Sequence, residues 1–333
     1  MALEDIVGQE RALEILRRSI VKNRLAHAYL FTGEDGIGKK LTAINFAKTL
    51  NCQNNLTPHT SRLTPHAIDC CDECPSCTKI DRTIHPDVFL IAPENGQIKI
   101  RAIRKLGESL SYKAFEGKWK IAVVDSADAL NQSAANAFLK TLEEPPHQSL
   151  LVLISSLPEL IPSTVRSRCQ RINFLPLSHK KMDELLRYKH SKEGLKIHSK
   201  QAMLISMLSG GRPGWALSND LIERRDRTFD EFKSLLGGIE EDLWIDRSSM
   251  EEWFDWVQLL LRDVAVYNAT GRPDLLINQD KEKEIKNISK KAELQDILKL
   301  SDALYNIKDA LRFNLNKQLT LYHTYFLLKK TFG

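Results

Sequence analysis

The chain has no run approaching the eighteen or so consecutive apolar residues of a membrane-spanning helix, so none is expected. Its first residues, Met1-Ala2-Leu3-Glu4-Asp5, lack the basic flank of a secretory leader and carry acid instead, which predicts a cytoplasmic protein. A strong charge bias is missing too. Lys and Arg number 48 against 43 Asp and Glu, a formal net charge of +5 that permits contact with nucleic acid without forming a basic stripe. Cysteine is scarce, six residues in all, yet Cys70, Cys71, Cys74 and Cys77 crowd into one short segment.

At 333 residues, 42% hydrophobic and 27% charged, the chain can bury a substantial core, and its length predicts two or three domains. Its sharpest motif is Gly33-Glu34-Asp35-Gly36-Ile37-Gly38-Lys39-Lys40. In a phosphate-binding P-loop, glycines let successive backbone N–H groups curl round a phosphate, and the lysine at the Lys39 position reaches the β and γ oxygens. Ala28 to Phe31 reads as the strand leading in, and Leu41 to Leu50 as the helix leading out. One part is absent: Lys40 stands where a Ser or Thr hydroxyl would hold magnesium. The loop is expected to suit ATP or ADP without being equipped to hydrolyse it, and its occupancy is open at this point.

The Cys71-Asp72-Glu73-Cys74-Pro75-Ser76-Cys77 segment spaces three thiols three residues apart, and Cys52 offers a fourth across eighteen intervening residues. In a reducing compartment this predicts a closed, structural Zn2+ site of four thiolates. Cys70 competes with Cys71, although only Cys71 keeps the two-residue gap to Cys74, and His59 and His66 are further candidates. A cluster of ordinary free thiols is the bland alternative, and it would be an oxidation liability.

Beta and alpha patterns then alternate, as in a parallel sheet. Asp87 to Ile91 reads as a strand, and Ile100, Ile103, Leu106 and Leu110 share one face of a helix. Arg101, Arg104 and Lys105 lie on its other side, more simply a solvated face than a DNA contact. Lys120 to Val124 is an apolar strand ending in Asp125, placed to orient magnesium through water. A hydrolysing enzyme would continue with a Glu that polarises the attacking water, but Ser126 follows. Asp128, beyond a tight turn, is expected to point elsewhere. Asn131 to Glu144 reads as a helix stopped by Pro145-Pro146, and Leu150 to Ile154 as a buried strand running into Ser155-Ser156, a pair placed to sense phosphate.

After Phe174 the apolar spacing turns helical: Met182, Leu185 and Leu186, then Ala202 to Leu208, then Phe232, Leu235 and Leu236, then Trp253, Val257, Leu260, Leu261 and Val264, and finally Leu304, Ile307, Leu311 and Leu315. Trp253 reads as core, and Asp280-Lys281-Glu282-Lys283-Glu284 as a solvated loop or helix start.

Val7-Gly8-Gln9, the Ala26-His27-Ala28-Tyr29-Leu30-Phe31 lead into the P-loop, the Asn-Ala-Phe-Leu-Lys-Thr-Leu-Glu-Glu-Pro-Pro run from Asn136 to Pro146, and Ser167-Arg168-Cys169 together resemble one family. It is that of bacterial DNA polymerase III clamp-loader subunits of delta-prime type, in the AAA+ superfamily. The resemblance covers nearly the whole chain. It implies an α/β fold: an AAA+ P-loop parallel-sheet domain at 1–173 with a zinc module inserted at 52–77, a helical lid at 174–218, and an all-α collar at 219–333 through which subunits assemble. It further implies that Val7 borders an adenine pocket, that the cysteine module binds zinc, and that Arg168 projects onto ATP held by a neighbour.

Against the hydrolysing gamma/tau relatives, Gly211-Arg212-Pro213-Gly214-Trp215-Ala216-Leu217 puts Gly214 at the sensor-2 arginine position. Arg212 is two residues away, a rotation of about 200° on a helix. The implied role is a hydrolysis-deficient stator of the clamp loader, within the DNA-directed DNA polymerase holoenzyme. Its implied partners are gamma/tau and delta subunits, the sliding clamp and primer-template DNA. An active gamma/tau-like ATPase and a zinc-dependent DNA-binding protein are the alternatives.

Overall fold

A computed structural model describes residues 2–54, 68–94, 96–192, 199–218, 220–238, 243–313 and 315–333. The candidate ligands His59 and His66 lie outside the described residues. Contacts divide the chain into two compact units, Met1–Tyr188 with Gly210–Leu217, and Lys189–Ser209 with Ser218–Gly333. The expected lid stretch, 174–218, is thus shared between the two.

The first unit is built on five parallel strands, β1 (Ala28–Thr32), β2 (Val88–Ile91), β3 (Lys120–Val124), β4 (Ser149–Ser155) and β5 (Gln170–Asn173), in the order β2-β3-β4-β1-β5. Side chains alternate between faces along a strand. Tyr29 and Phe31 of β1, Ile121 and Val123 of β3, and Leu150 and Val152 of β4 enter one layer with helices α1 (Glu10–Val21) and α2 (Lys39–Asn51), through Leu16, Ala43, Phe46 and Leu50. On the other face, Ala28, Leu30, Ala122, Val124, Leu151 and Leu153 meet Ile103, Leu106, Leu110, Phe138 and Leu142. With both faces covered, the strands read as unbroken apolar runs rather than as alternation.

The helices between the strands follow from local chemistry. Helix α3 (Pro75–Asp81) starts on a proline, where a missing N–H costs nothing. Helix α4 (Ile100–Ser111) buries Ile103, Leu106 and Leu110 and leaves Arg101, Arg104 and Lys105 exposed, the solvated-face reading. Helix α5 (Gln132–Glu143) is capped by Asn131, whose Oδ1 accepts the Ala134 N–H at 2.8 Å, and Pro145-Pro146 follow its end. Helix α6 (Ser163–Arg166) is a single turn before β5.

Helix α7 (His179–Lys192) runs from the first unit into the second, and the short α9 (Pro213–Ala216) belongs to the first. Among the described residues the second unit is helical: α8 (Ser199–Leu208), α10 (Leu221–Gly237), α11 (Arg247–Thr270), α12 (Glu282–Ser289), α13 (Leu294–Ala310) and α14 (Lys317–Phe332). Its core gathers Phe232, Trp244, Trp253, Phe254, Val257, Leu260, Ile285 and Leu304, with Trp253 1% exposed, as expected of a core residue.

One expectation changes here. Leu315 does not continue the helical stripe ending at Leu311: α13 stops at Ala310, and Asn316 starts α14 afresh by accepting the Leu319 N–H at 3.1 Å, which leaves Leu315 exposed. The stretch from Asp280 to Glu284 is the expected helix start, and Asp280 makes a specific contact in it. Both its carboxylate oxygens accept from the wholly buried Arg225 guanidinium, at 2.8 and 2.7 Å, in a bidentate pair that fixes the entry to α12.

Candidate functional site

Parallel strands bring the loops after β1, β3 and β4 to one edge, the usual ligand-binding edge of an open α/β sheet. There the P-loop residues adopt the shape their sequence predicts. Gly33, Gly36 and Gly38 have φ of 143°, 77° and 100°, and a Cβ at Gly33 would lie 2.4 Å from Ile37 Cδ1 and 2.6 Å from the Phe174 carbonyl oxygen. Only glycine is comfortable in that conformation and that space. Lys39 is buried, and its ammonium donates to the Gly33 and Glu34 carbonyl oxygens at 2.5 and 2.7 Å while facing Asp35 at 3.5 Å. Burial draws this ammonium below its ordinary pKa, with the carboxylates of Asp35, Asp128 and Asp125 opposing.

Lys40 and Asp125, the residues the motifs lead one to expect at magnesium-holding positions, are bound to each other. The Lys40 Nζ lies 3.0 Å from Asp125 Oδ2, with Lys40 about half exposed. Asp128 departs from expectation. Its carboxylate accepts the Ser155 hydroxyl, and its charge acts on Lys39, so it belongs to this edge rather than pointing away. Burial raises its pKa, and the Ser155 hydrogen bond opposes that rise. Ser155 also accepts the Leu157 N–H at 3.0 Å, so its hydroxyl is committed within the fold.

The segment carrying Gly214 closes directly on the loop. The Gly214 N–H donates to the Gly36 carbonyl oxygen at 2.7 Å, and a Cβ at Gly214 would stand 3.0 Å from that same oxygen. Trp215 packs on the Gly36 α-carbon, and the Arg212 guanidinium stacks 3.5 Å from the Trp215 ring centroid. Arg212 also faces Glu34 at 3.9 Å. Val7 is half-buried beside Gly8, and the next residue, Gln9, donates to the Leu175 carbonyl oxygen at 2.8 Å and accepts the Leu175 N–H at 3.2 Å.

The four cysteines converge. The sulfurs of Cys52, Cys71, Cys74 and Cys77 all lie within 4.8 Å of one another, with Cys52 3.5 Å from Cys71 and 4.0 Å from Cys74. Tetrahedral zinc with Zn–S of about 2.3 Å sets its sulfurs about 3.8 Å apart, so the four thiols fit a metal of that kind. Burial raises the Cys74 thiol, and the backbone N–H groups of Cys77 and Gln53 with the neighbouring thiols outweigh it, leaving Cys74 at about 6. Cys70 turns away from the group: its thiol faces Asp72 Oδ1 at 3.3 Å, and burial with Asp72 pushes it up to about 12.

Lys48 ties this cluster to α2. Its side chain is fully buried and its ammonium donates to both Asp81 carboxylate oxygens, at 3.0 and 2.9 Å, as well as to Asp72. Burial opposes its charge, and the two carboxylates more than offset that, so its pKa is raised.

Arg168 stands just after α6. Its guanidinium pairs with Glu143 at 2.7 Å and donates to the Thr164 carbonyl oxygen at 2.8 Å, with 36% of the side chain exposed. Its neighbour Cys169 is half-buried and pushed up to about 12 by burial, apart from the metal-type cluster.

The family described as "DNA polymerase III, delta subunit" matches residues 8–178, and "DNA polymerase III, delta subunit, C terminal" matches residues 243–329. DNA polymerase III subunit delta' of Pseudomonas aeruginosa is 30% identical over 312 residues, 89% of each chain. The chain belongs to the delta-prime family of DNA polymerase III subunits. The family's Bacillus subtilis member, DNA polymerase III subunit delta', is 29% identical over 97% of this chain and 96% of its own length. DNA polymerase III subunit tau of Bacillus subtilis is 37% identical over 51% of this chain, but only 28% of tau's length is covered. A solved DNA polymerase III gamma subunit-related protein from Thermotoga maritima aligns over 97% of this chain at 21% identity, with a TM-score of 0.46.

Three residues at these sites carried no role in the sequence reading. Glu143 lies inside a quoted motif, but its pairing with Arg168 spans 25 positions and depends on how α5 and α6 meet. Lys48 was detectable in principle, as a cation on the buried side of the P-loop helix. Trp215 touches Gly36 only because of the fold.

Proposed function

We propose that this chain is a delta-prime-type stator of a cytoplasmic DNA polymerase III clamp loader. It assembles with gamma/tau and delta subunits and helps place the sliding clamp on primed DNA, as part of the DNA-directed DNA polymerase holoenzyme. It does not hydrolyse ATP itself. In this reading residues 1–173 form the nucleotide-binding-type domain, 174–218 the lid and 219–333 the collar, and Cys52, Cys71, Cys74 and Cys77 hold a structural zinc. Arg168 is supplied to ATP on a neighbouring gamma/tau subunit.

The observation that carries this reading is the Lys40–Asp125 ion pair at 3.0 Å: the positions a hydrolysing subunit would use for magnesium are closed on each other. Arg168 meanwhile remains partly exposed after meeting its local partners. A guanidinium reaching developing charge on a transferred phosphoryl group is worth about 10³ to 10⁵ in rate where measured in trans. Co-purification of this chain with gamma/tau and delta subunits, followed by a clamp-loading assay with and without it, tests the role. Loading should depend on its presence. Failure to co-purify, or loading that proceeds without it, contradicts the role.

A further inference from the structure

A divalent cation of the magnesium class needs hard oxygen ligands and negative charge that nothing else balances. At the carboxyl edge of this sheet the Asp125 carboxylate is already paired with a cation. We propose that the Lys40 ammonium is the resident cation of this pocket, standing in the place of a divalent metal and excluding one.

Lys40 enters from the first turn of α2, directly after the P-loop, and Asp125 from the end of β3, and their charged atoms meet at 3.0 Å. The ammonium carries three donors and no lone pair, so it cannot ligate a metal. It does supply the positive charge that Asp125 would otherwise draw from an ion. A dication brought within about 4 Å of it is repelled rather than held. The neighbouring carboxylates have partners as well: Asp35 faces Lys39 at 3.5 Å, Glu34 faces Arg212 at 3.9 Å, and Asp128 accepts the Ser155 hydroxyl. The P-loop of this chain is therefore not a magnesium site from which one ligand has been deleted. It is a site in which a side chain does the ion's electrostatic work. Phosphate oxygens entering the cradle would face two lysine ammonium groups, Lys39 and Lys40, and no metal. This inference concerns the chain alone and does not rest on what Arg168 does for a neighbour.

Manganous ion, which takes the same oxygen ligands and is directly visible by electron paramagnetic resonance, is the probe. It is titrated into the full-length, zinc-loaded chain. Wild type and Asp125→Asn should show the same weak background uptake. Lys40→Asp, which turns a neutral pair into two carboxylates, should bind one manganous ion per chain about tenfold more tightly than wild type, and Asp125→Asn in the same chain should remove that gain. Lys40→Thr, which restores a hydroxyl and frees Asp125, should give a smaller gain with the same dependence, and it serves if the acidic variant folds poorly. Wild-type uptake that Asp125→Asn abolishes would overturn the proposal. So would a folded Lys40→Thr or Lys40→Asp chain that binds no more manganese than wild type.

Discussion

The Arg168 Nη2 lies 2.7 Å from Glu143 Oε1, joining the second residue beyond a one-turn helix to the last residue of α5. A second hydrogen bond, from Nη1 to the Thr164 carbonyl oxygen at 2.8 Å, fixes the guanidinium plane. On the proposed reading, in which Arg168 is supplied to a neighbouring subunit's phosphate, these two contacts would set its aim before the partner arrives. In a reconstituted loader, Glu143→Gln is expected to lower DNA-stimulated ATP turnover about tenfold while leaving KM for ATP unchanged, because positioning acts on the transition state and not on substrate affinity. Turnover equal to wild type would make Glu143 a bystander.

Gly214 sits tightly against the P-loop. Its amide holds the Gly36 carbonyl at 2.7 Å, and any Cβ there would come 3.0 to 3.1 Å from the Gly36 backbone. Gly214→Ala should destabilise the protein by about 1–3 kcal/mol, since the backbone must shift to make room. Gly214→Arg should destabilise further and confer no ATPase activity. Thermal unfolding and a phosphate-release assay on the isolated variants check both statements.

The thiols divide by geometry into four and two. Cys71→Ser should lose bound zinc, because the four sulfurs within 4.8 Å of one another form a closed set. Cys70→Ser should retain it, the Cys70 thiol being turned to Asp72. Metal content per purified chain, measured by atomic emission, distinguishes them, and zinc loss from the Cys70 variant alone would reverse the assignment. Lys48→Met should loosen the same region by about 1–2 kcal/mol, because it removes the buried cation that the partly exposed carboxylates of Asp72 and Asp81 share.

Asp87 gives a pH dependence that needs no metal. Its buried carboxylate accepts the N–H groups of Phe115, Glu116 and Gly117 at 2.7, 2.9 and 2.8 Å. Burial raises its pKa and those three bonds outweigh the rise, so it sits below the ordinary carboxylate value. A lowered folded-state pKa adds stability that is fully present above the unfolded value, about 4, and is lost as pH falls through the folded one. Asp87→Asn should therefore cost about 1–2 kcal/mol at neutral pH and flatten the acid limb of the stability curve. Denaturant unfolding at neutral pH and in mild acid gives the comparison; an unchanged acid limb contradicts it.

Much of the first unit was legible in the sequence because its signals are local. Apolar runs bounded by glycine or proline gave β1, β3 and β4, helical spacing gave α4, and the positive-φ glycines were named from the motif alone. The cysteine set was readable from its two-residue gaps, and the choice of Cys71 over Cys70 needed only the direction in which one thiol turned. What the sequence could not carry were contacts made by distant segments. Lys40 meets Asp125 across 85 positions, and Trp215 reaches Gly36 across nearly 180. Asp128 was misread because a turn that is tight along the chain still delivers its carboxylate to the Ser155 hydroxyl. Leu315 was misread because periodicity does not register a fresh cap at Asn316.

On the proposed reading this chain keeps a group that serves a neighbour's ATP while Lys40 closes its own pocket to metal. ATP turnover by the reconstituted loader on primed DNA, with wild type or Arg168→Ala in this chain, tests it most directly. The account predicts that the isolated wild-type chain releases no phosphate and that Arg168→Ala lowers turnover of the assembled loader by about 10³-fold without dissociating it. Vigorous hydrolysis by the isolated chain, or full turnover by the intact Arg168→Ala assembly, would contradict it.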